Sequence, residues 1–182
     1  MTQHGKTTRR FNLQRFTEAQ QPLYSTALGE LKAGRKRTHW MWFVFPQVEG
    51  LGHSSMTQHY AIKSRDEAVA YLATPALGAR LIECTKAVLA VPDKSAHDIF
   101  GSQDDMKFHS SMTLFDAVDG GGLYGQALDR FFAGERDQAT LAILTNGRTT
   151  SIKAAVRPRR PSLQLLEIRA GNRPLVGQMM PR

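Results

Sequence analysis

Three cations, Arg35, Lys36 and Arg37, stand directly before Thr38-His39-Trp40-Met41-Trp42-Phe43-Val44-Phe45, a run that holds both tryptophans of the chain. Guanidinium and ammonium groups beside indole rings can hold a phosphate while the rings stack on a base or support the cation through their π faces. Arg35, Arg37, His39, Trp40 and Trp42 are therefore candidate ligand contacts. The competing reading is a solvated basic turn feeding a buried aromatic core.

The run leads into Gly50-Leu51-Gly52-His53-Ser54-Ser55. Gly50 and Gly52 would let backbone N–H groups approach an anion, and Ser54 or Ser55 would add a hydroxyl at a helix start. The segment lacks the lysine of a Walker A loop and is too short for a dinucleotide fingerprint, so a plain tight turn competes with the cradle. A third group lies further on. Lys107, Ser110 and Ser111 fall within a turn of one another on a helix, where a lysine beside two hydroxyls suits a phosphate. The Lys-x-x-Ser order reverses the Ser-x-x-Lys order of penicillin-binding enzymes, which argues against a serine nucleophile. His39, His53, His59, His97 and His109 fall at no compact ligand spacing, so neither a metal nor a cofactor is expected. Asp104 and Asp105 read as first-turn charges of a helix rather than an acid/base pair.

Helices must position these groups. Asn12 can cap a helix near Leu13, and Pro22 fits the first turn of a second helix with the stripe Leu23, Ala27, Leu28 and Leu31, ending at Gly34. Thr38 to Phe45 is too short and uniformly apolar for periodicity to decide; a short buried helix is the expectation. Ser64-Arg65-Asp66-Glu67 has the form of a capping box, with Ala68, Val69, Leu72 and Ala73 as the inward face. After Thr74-Pro75, the stripe Leu77, Leu81, Cys84, Val88 and Val91 marks the clearest helix, stopped by Pro92. Ser95 and Gly101 bracket a short one. Ser102 caps a helix to about Val118, Asp119-Gly120-Gly121-Gly122 turns, and Tyr124, Leu128, Phe131 and Phe132 form the next face. Leu141 to Leu144 ends the pattern. The fold class is mainly α, a single compact helical domain over 11–144, with room for a minor short strand pair.

Charge sorts the rest. The formal net charge is +8, yet it divides into +3 for residues 1–10, −2 for 11–144 and +7 for 145–182. The basic ends, with prolines interrupting the second, read as tails that cannot bury enough apolar surface to fold. They suggest nucleic acid only weakly, because the domain between them is mildly acidic. One cysteine, Cys84, excludes an intramolecular disulfide, and no segment resembles a secretory signal or reaches the length of a membrane span. A cytoplasmic protein is expected.

Several unusual words occur in order: His39-Trp40-Met41-Trp42-Phe43-Val44-Phe45-Pro46-Gln47, Gly50-Leu51-Gly52, Tyr60-Ala61-Ile62, Ile99-Phe100-Gly101 and Asp105-Met106-Lys107, then Ser110-Ser111-Met112-Thr113-Leu114-Phe115. Together they resemble the bacterial family catalogued as domain of unknown function 1810 over residues 11 to about 144. That resemblance implies a small helical domain ending near Leu144, so the basic tail departs from it, as a lineage-specific extension or a shifted frame would. A fainter similarity runs to the NADAR (NAD and ADP-ribose related) proteins through Gln58-His59-Tyr60 and the Lys107, Met112, Phe115 spacing. It implies an ADP-ribose-type ligand and N-glycosidic hydrolysis, although Gln58 stands where those proteins carry an acid. The expected partner is thus a small anionic, nucleotide-like ligand. The rival is a non-enzymatic module whose exposed aromatics or basic tail engage protein or nucleic acid.

Overall fold

The structure, a computed structural model, describes residues 11–120 and 122–155, with 147–155 as backbone alone. The expected N-terminal tail 1–10, Gly121 of the glycine turn, and the part of the 145–182 tail beyond Ala155 lie outside the described residues. Within them the chain forms α1 (Gln14–Lys32), α2 (Met41–Val44), α3 (Ser55–His59), α4 (Arg65–Ala73), α5 (Pro75–Leu89), α6 (Ala96–Phe100), α7 (Asp104–Asp119), α8 (Leu123–Phe132) and α9 (Gln138–Ala155). The domain is mainly α. Among the described residues there is no sheet, and the minor strand pair reduces to one parallel bridge between Val48 and Ile62.

α1 is one helix where the sequence pattern suggests two. Pro22 sits inside it rather than in a first turn. An interior proline removes one backbone bond and strains the helix by about 3 kcal/mol. Here Pro22 is exposed, and burial of Phe16, Gln20, Ala27 and Leu31 on the other face offsets the cost. Leu13, not Asn12, takes the cap position, with no side-chain bond. The C-terminal end follows the pattern, since the chain turns left-handed at Gly34 with φ 65°.

α4 keeps the expected cap, Ser64 Oγ accepting from the Glu67 N–H at 3.1 Å. Its inward face is rotated relative to the expected one: Glu67, Ala68 and Tyr71 are buried, whereas Val69 is 48% exposed. The cause is Glu67. Its carboxylate bonds Arg15 of α1 and the backbone N–H of Lys63, both at 2.8 Å, which turns that position toward the interior. In α5 the stripe Leu77, Leu81, Cys84 and Val88 is buried, as its period requires, and Val91 just past the helix end is buried with it. At the start of α7, Gln103 rather than Ser102 occupies the cap position, with φ 70° and no side-chain cap.

α7 is the central element and packs against α4, α6, α8 and α9, while α1 packs on α2 and α5. The core gathers around Phe108, whose ring meets Phe45 edge-on at 5.1 Å and stacks on Phe100 at 4.6 Å. Burying a large aromatic stabilises by about 1.5–3 kcal/mol per residue. This cluster therefore fixes the aromatic run against α7. Buried Gln20 assists: its amide N–H groups donate to the Phe43 carbonyl at 2.7 Å and the Tyr71 hydroxyl at 3.1 Å, satisfying the end of α2. Among the described residues no helix is long and apolar enough to cross a membrane.

Candidate functional site

The basic turn after α1 is held by one carboxylate. Glu30 accepts from the N–H groups of Arg37 at 2.8 Å and Thr38 at 3.1 Å, from the Thr38 hydroxyl at 2.8 Å and from the Trp40 indole N–H at 2.8 Å. Burial works to raise its pKa, but the bonds from Arg37, Trp40 and Thr38 outweigh it and hold the carboxyl below its usual range. Glu30→Ala should destabilise the fold by about 2–3 kcal/mol, because the buried indole N–H loses its acceptor. With a lowered folded-state pKa, Glu30 contributes fully above its ordinary value of 4.5 and loses that contribution as the pH falls. Urea titrations at pH 7 and pH 3 check this: the gap between parent and variant should narrow at pH 3.

Lys36 is the cation of this turn that faces the body of the fold. Its backbone N–H donates to the Ile99 carbonyl at 2.7 Å, and its ammonium lies 2.7 Å from Asp104 Oδ2 and 5.3 Å from the centre of the Trp40 ring. Lys107 mirrors it. Its ammonium lies 2.7 Å from Asp104 Oδ1 and 5.0 Å from the centre of the Trp42 ring. One carboxylate thus ties two ammonium groups, each beside a different tryptophan. Burial acts to raise the Asp104 pKa, but bonds and charge from Lys107 and Lys36 prevail and lower it.

Beside Lys107 opens a hollow of about 300 Å³. Lys107 and Ser110 of α7 and Gln103 at its cap position line it, together with Gly52, Thr57, Gln47 and Asp137. The side-chain amides of Gln47 and Gln103, both lining residues, make no hydrogen bond among the described residues. Asp137 is committed elsewhere. Its Oδ2 accepts from the Thr140 hydroxyl at 2.5 Å, the Ser110 hydroxyl at 3.0 Å and the Thr140 N–H at 3.1 Å, capping α9. Burial opposes but does not overcome the lowering of its pKa by Thr140 and Ser110.

The candidates from the sequence divide accordingly. Gly52, Lys107 and Ser110 share the hollow; Trp42 does not line it, but its ring lies under the Lys107 ammonium. Arg35, Arg37 and His39 are exposed and do not line it, and Trp40 is fully buried in the core. Gly50 is exposed in its loop. Ser54 caps α3 by accepting from the Thr57 N–H at 3.1 Å, and Ser55 is the exposed first residue of that short helix. Ser111 is fully buried, and neither its hydroxyl nor the Trp42 indole N–H has a hydrogen-bond partner. Gly52 earns its place by packing: an added Cβ would come within 2.7 Å of Thr57 Cγ2. Among the described residues no three His, Cys, Asp or Glu side chains gather as a metal site would need.

The residue-level reading named Lys36 only as one of three consecutive cations, did not single out Gln47, Gln103 or Asp137, and took Asp104 for a first-turn charge alone. Asp137 carried a usable signal, an acidic residue three positions before Thr140 at a helix start. Nothing in the spacing marks the two glutamines.

A family model described as protein of unknown function (DUF1810) matches residues 10–144. The chain belongs to the DUF1810 family. A similar solved structure, that of the conserved hypothetical protein Rv1873 from Mycobacterium tuberculosis, shares 48% identity, covers 74% of this chain and 97% of that one, and superposes with a TM-score of 0.73. No curated protein matches the chain. These comparisons do not extend to the NADAR proteins, so that likeness rests on the quoted residues and its ligand class belongs to the proposal below.

Proposed function

We propose that this DUF1810 domain binds a small anionic, nucleotide-like ligand of the ADP-ribose or NAD-related class in the hollow between α7 and the 47–57 loop. The observation that carries the reading is the meeting of Lys107 and Ser110 with Gly52 and Thr57 around one concavity. Its volume of about 300 Å³ is at the small end of ligand sites, which suits a nucleoside phosphate or one end of a longer ligand. Lys107 supplies the charge. The Gln47 and Gln103 amides offer the mixed donor and acceptor edges that a base or ribose needs.

Binding fits this geometry better than N-glycosidic hydrolysis. Asp137 is the only carboxylate in the lining, and its bonds to Ser110 and Thr140 hold it ionised at neutral pH, which deprives it of a proton to donate. The basic tail supports a second reading, capture of a polyanion or acidic partner, through its formal charge of +7 over 145–182. The two readings separate on truncation after Ala155, which should leave small-ligand binding intact and abolish tail-dependent capture.

Calorimetry and thermal shift with ADP-ribose, NAD, ADP and inorganic phosphate test the proposal. Lys107→Gln should weaken binding by about 10-fold or more, the value of one charge-assisted contact. It should barely change the melting temperature, since Asp104 retains Lys36. Absence of both heat and stabilisation with millimolar amounts of every probe would sink the reading.

A further inference from the structure

Two of the buried donors without partners among the described residues point to where the ligand's charge sits. The Trp42 indole N–H and the Ser111 hydroxyl have no hydrogen-bond partner, whereas buried polar groups as a rule do. Each departs from its own neighbours. Trp40 gives its indole N–H to Glu30 at 2.8 Å. The buried helix hydroxyls of Thr85 and Thr113 each donate to the carbonyl four residues back, at 2.8 and 2.9 Å, and that of Ser110 divides its proton between the Met106 carbonyl at 3.1 Å and Asp137 at 3.0 Å. Ser111 forgoes that bond.

Lys107 connects the pair. Its ammonium lies over the Trp42 ring, and Ser111 follows it by one turn on the same face of α7, so Lys107 neighbours both. An indole N–H and an ammonium are donors only, and a hydroxyl can donate. What is missing is an acceptor. We infer that Trp42 Nε1, Ser111 Oγ and Lys107 Nζ form a subsite for a phosphoryl oxygen of the ligand, an inference that rests on the binding reading above and assigns its charged end. Lys107 can turn from Asp104 toward the phosphoryl group without stranding that carboxylate, because Lys36 holds its other oxygen at 2.7 Å. A buried water is the rival occupant of the same position.

The chain has two tryptophans, so a proton–nitrogen spectrum of the ¹⁵N-labelled full chain carries two indole resonances. Titration with inorganic phosphate, ADP and ADP-ribose should move one of them saturably downfield. That resonance should vanish in Trp42→Phe, and the resonance of Trp40, already bonded to Glu30, should stay in place. If Trp42→Phe fails to fold, Glu30→Gln identifies the Trp40 resonance instead. Ser111→Ala should weaken ADP binding about 5-fold while leaving adenosine binding unchanged. Where calorimetry shows a probe to bind and the Trp42 resonance does not move, or moves as far with adenosine as with ADP, the subsite is wrong and the hollow stands. With no heat from any probe, both readings fall together.

Discussion

Replacing Gly78 with alanine should destabilise the domain by about 3 kcal/mol, although the change puts the best helix former into a helix. On propensity alone, Gly→Ala within α5 would stabilise by about 1 kcal/mol. Position 78 reverses the sign. The C-terminal turn of α4 presses against the first turn of α5 so closely that a Cβ on Gly78 would stand 2.2 Å from the Leu72 carbonyl oxygen. That atom is backbone, so relief requires moving one helix relative to the other rather than rotating a side chain. The same approach seats Tyr71 against Phe115 of α7, with ring centres 5.4 Å apart, so separating α4 from α5 opens the core. Urea unfolding checks the result. A G78A midpoint at or above that of the parent would show that the helices do not meet there.

Gly78 also marks the limit of what the chain discloses before it folds. Its helix was legible, because Leu77, Leu81, Cys84 and Val88 repeat with helical period and all are buried. Its contact with α4 was not, since local spacing does not encode how closely two helices approach. The break expected at Pro22 shows the converse. Local chemistry argued for two helices, and burial of Phe16, Gln20, Ala27 and Leu31 along one continuous face prevailed. Glu67 adds a third case: the capping signal was legible, whereas its long-range partner, Arg15, decided which face turned inward.

The candidate site was legible as two segments and not as particular atoms. The basic turn and the Lys107 face do approach one another, through Asp104. Which of three consecutive cations points inward depends on the left-handed turn at Gly34 and the bond from the Lys36 N–H to the Ile99 carbonyl, neither of which composition reveals. The two tryptophans separate for a similar reason. They are two residues apart on the edge of a four-residue helix, so one enters the core and the other lies under Lys107. Glutamines such as Gln47 and Gln103 become visible only once a hollow forms beside them.

Arg15→Ala should cost about 3–5 kcal/mol, the range for removing one member of a buried ion pair. The Arg15 and Glu67 side chains are 9% and 3% exposed and meet at 2.8 Å. The same guanidinium donates to the carbonyls of His59 at 2.9 Å and Ala61 at 2.8 Å, and to that of Asn12, so it fastens the start of α1 to the segment joining α3 and α4. Truncation leaves the Glu67 carboxylate buried with the Lys63 N–H and no cation. Arg15→Lys should recover only part of the loss, because a single ammonium cannot span the donor fork that reaches Glu67, His59 and Ala61 at once. The double variant Arg15→Met, Glu67→Leu separates charge from packing. Without a stranded carboxylate it should be more stable than Arg15→Ala by about 2 kcal/mol, even though it has lost more polar contacts. Both variants lose the carbonyl contacts, so if the double variant is instead the less stable of the two, the bond from the Lys63 N–H to Glu67 outweighs the cost of the stranded carboxylate.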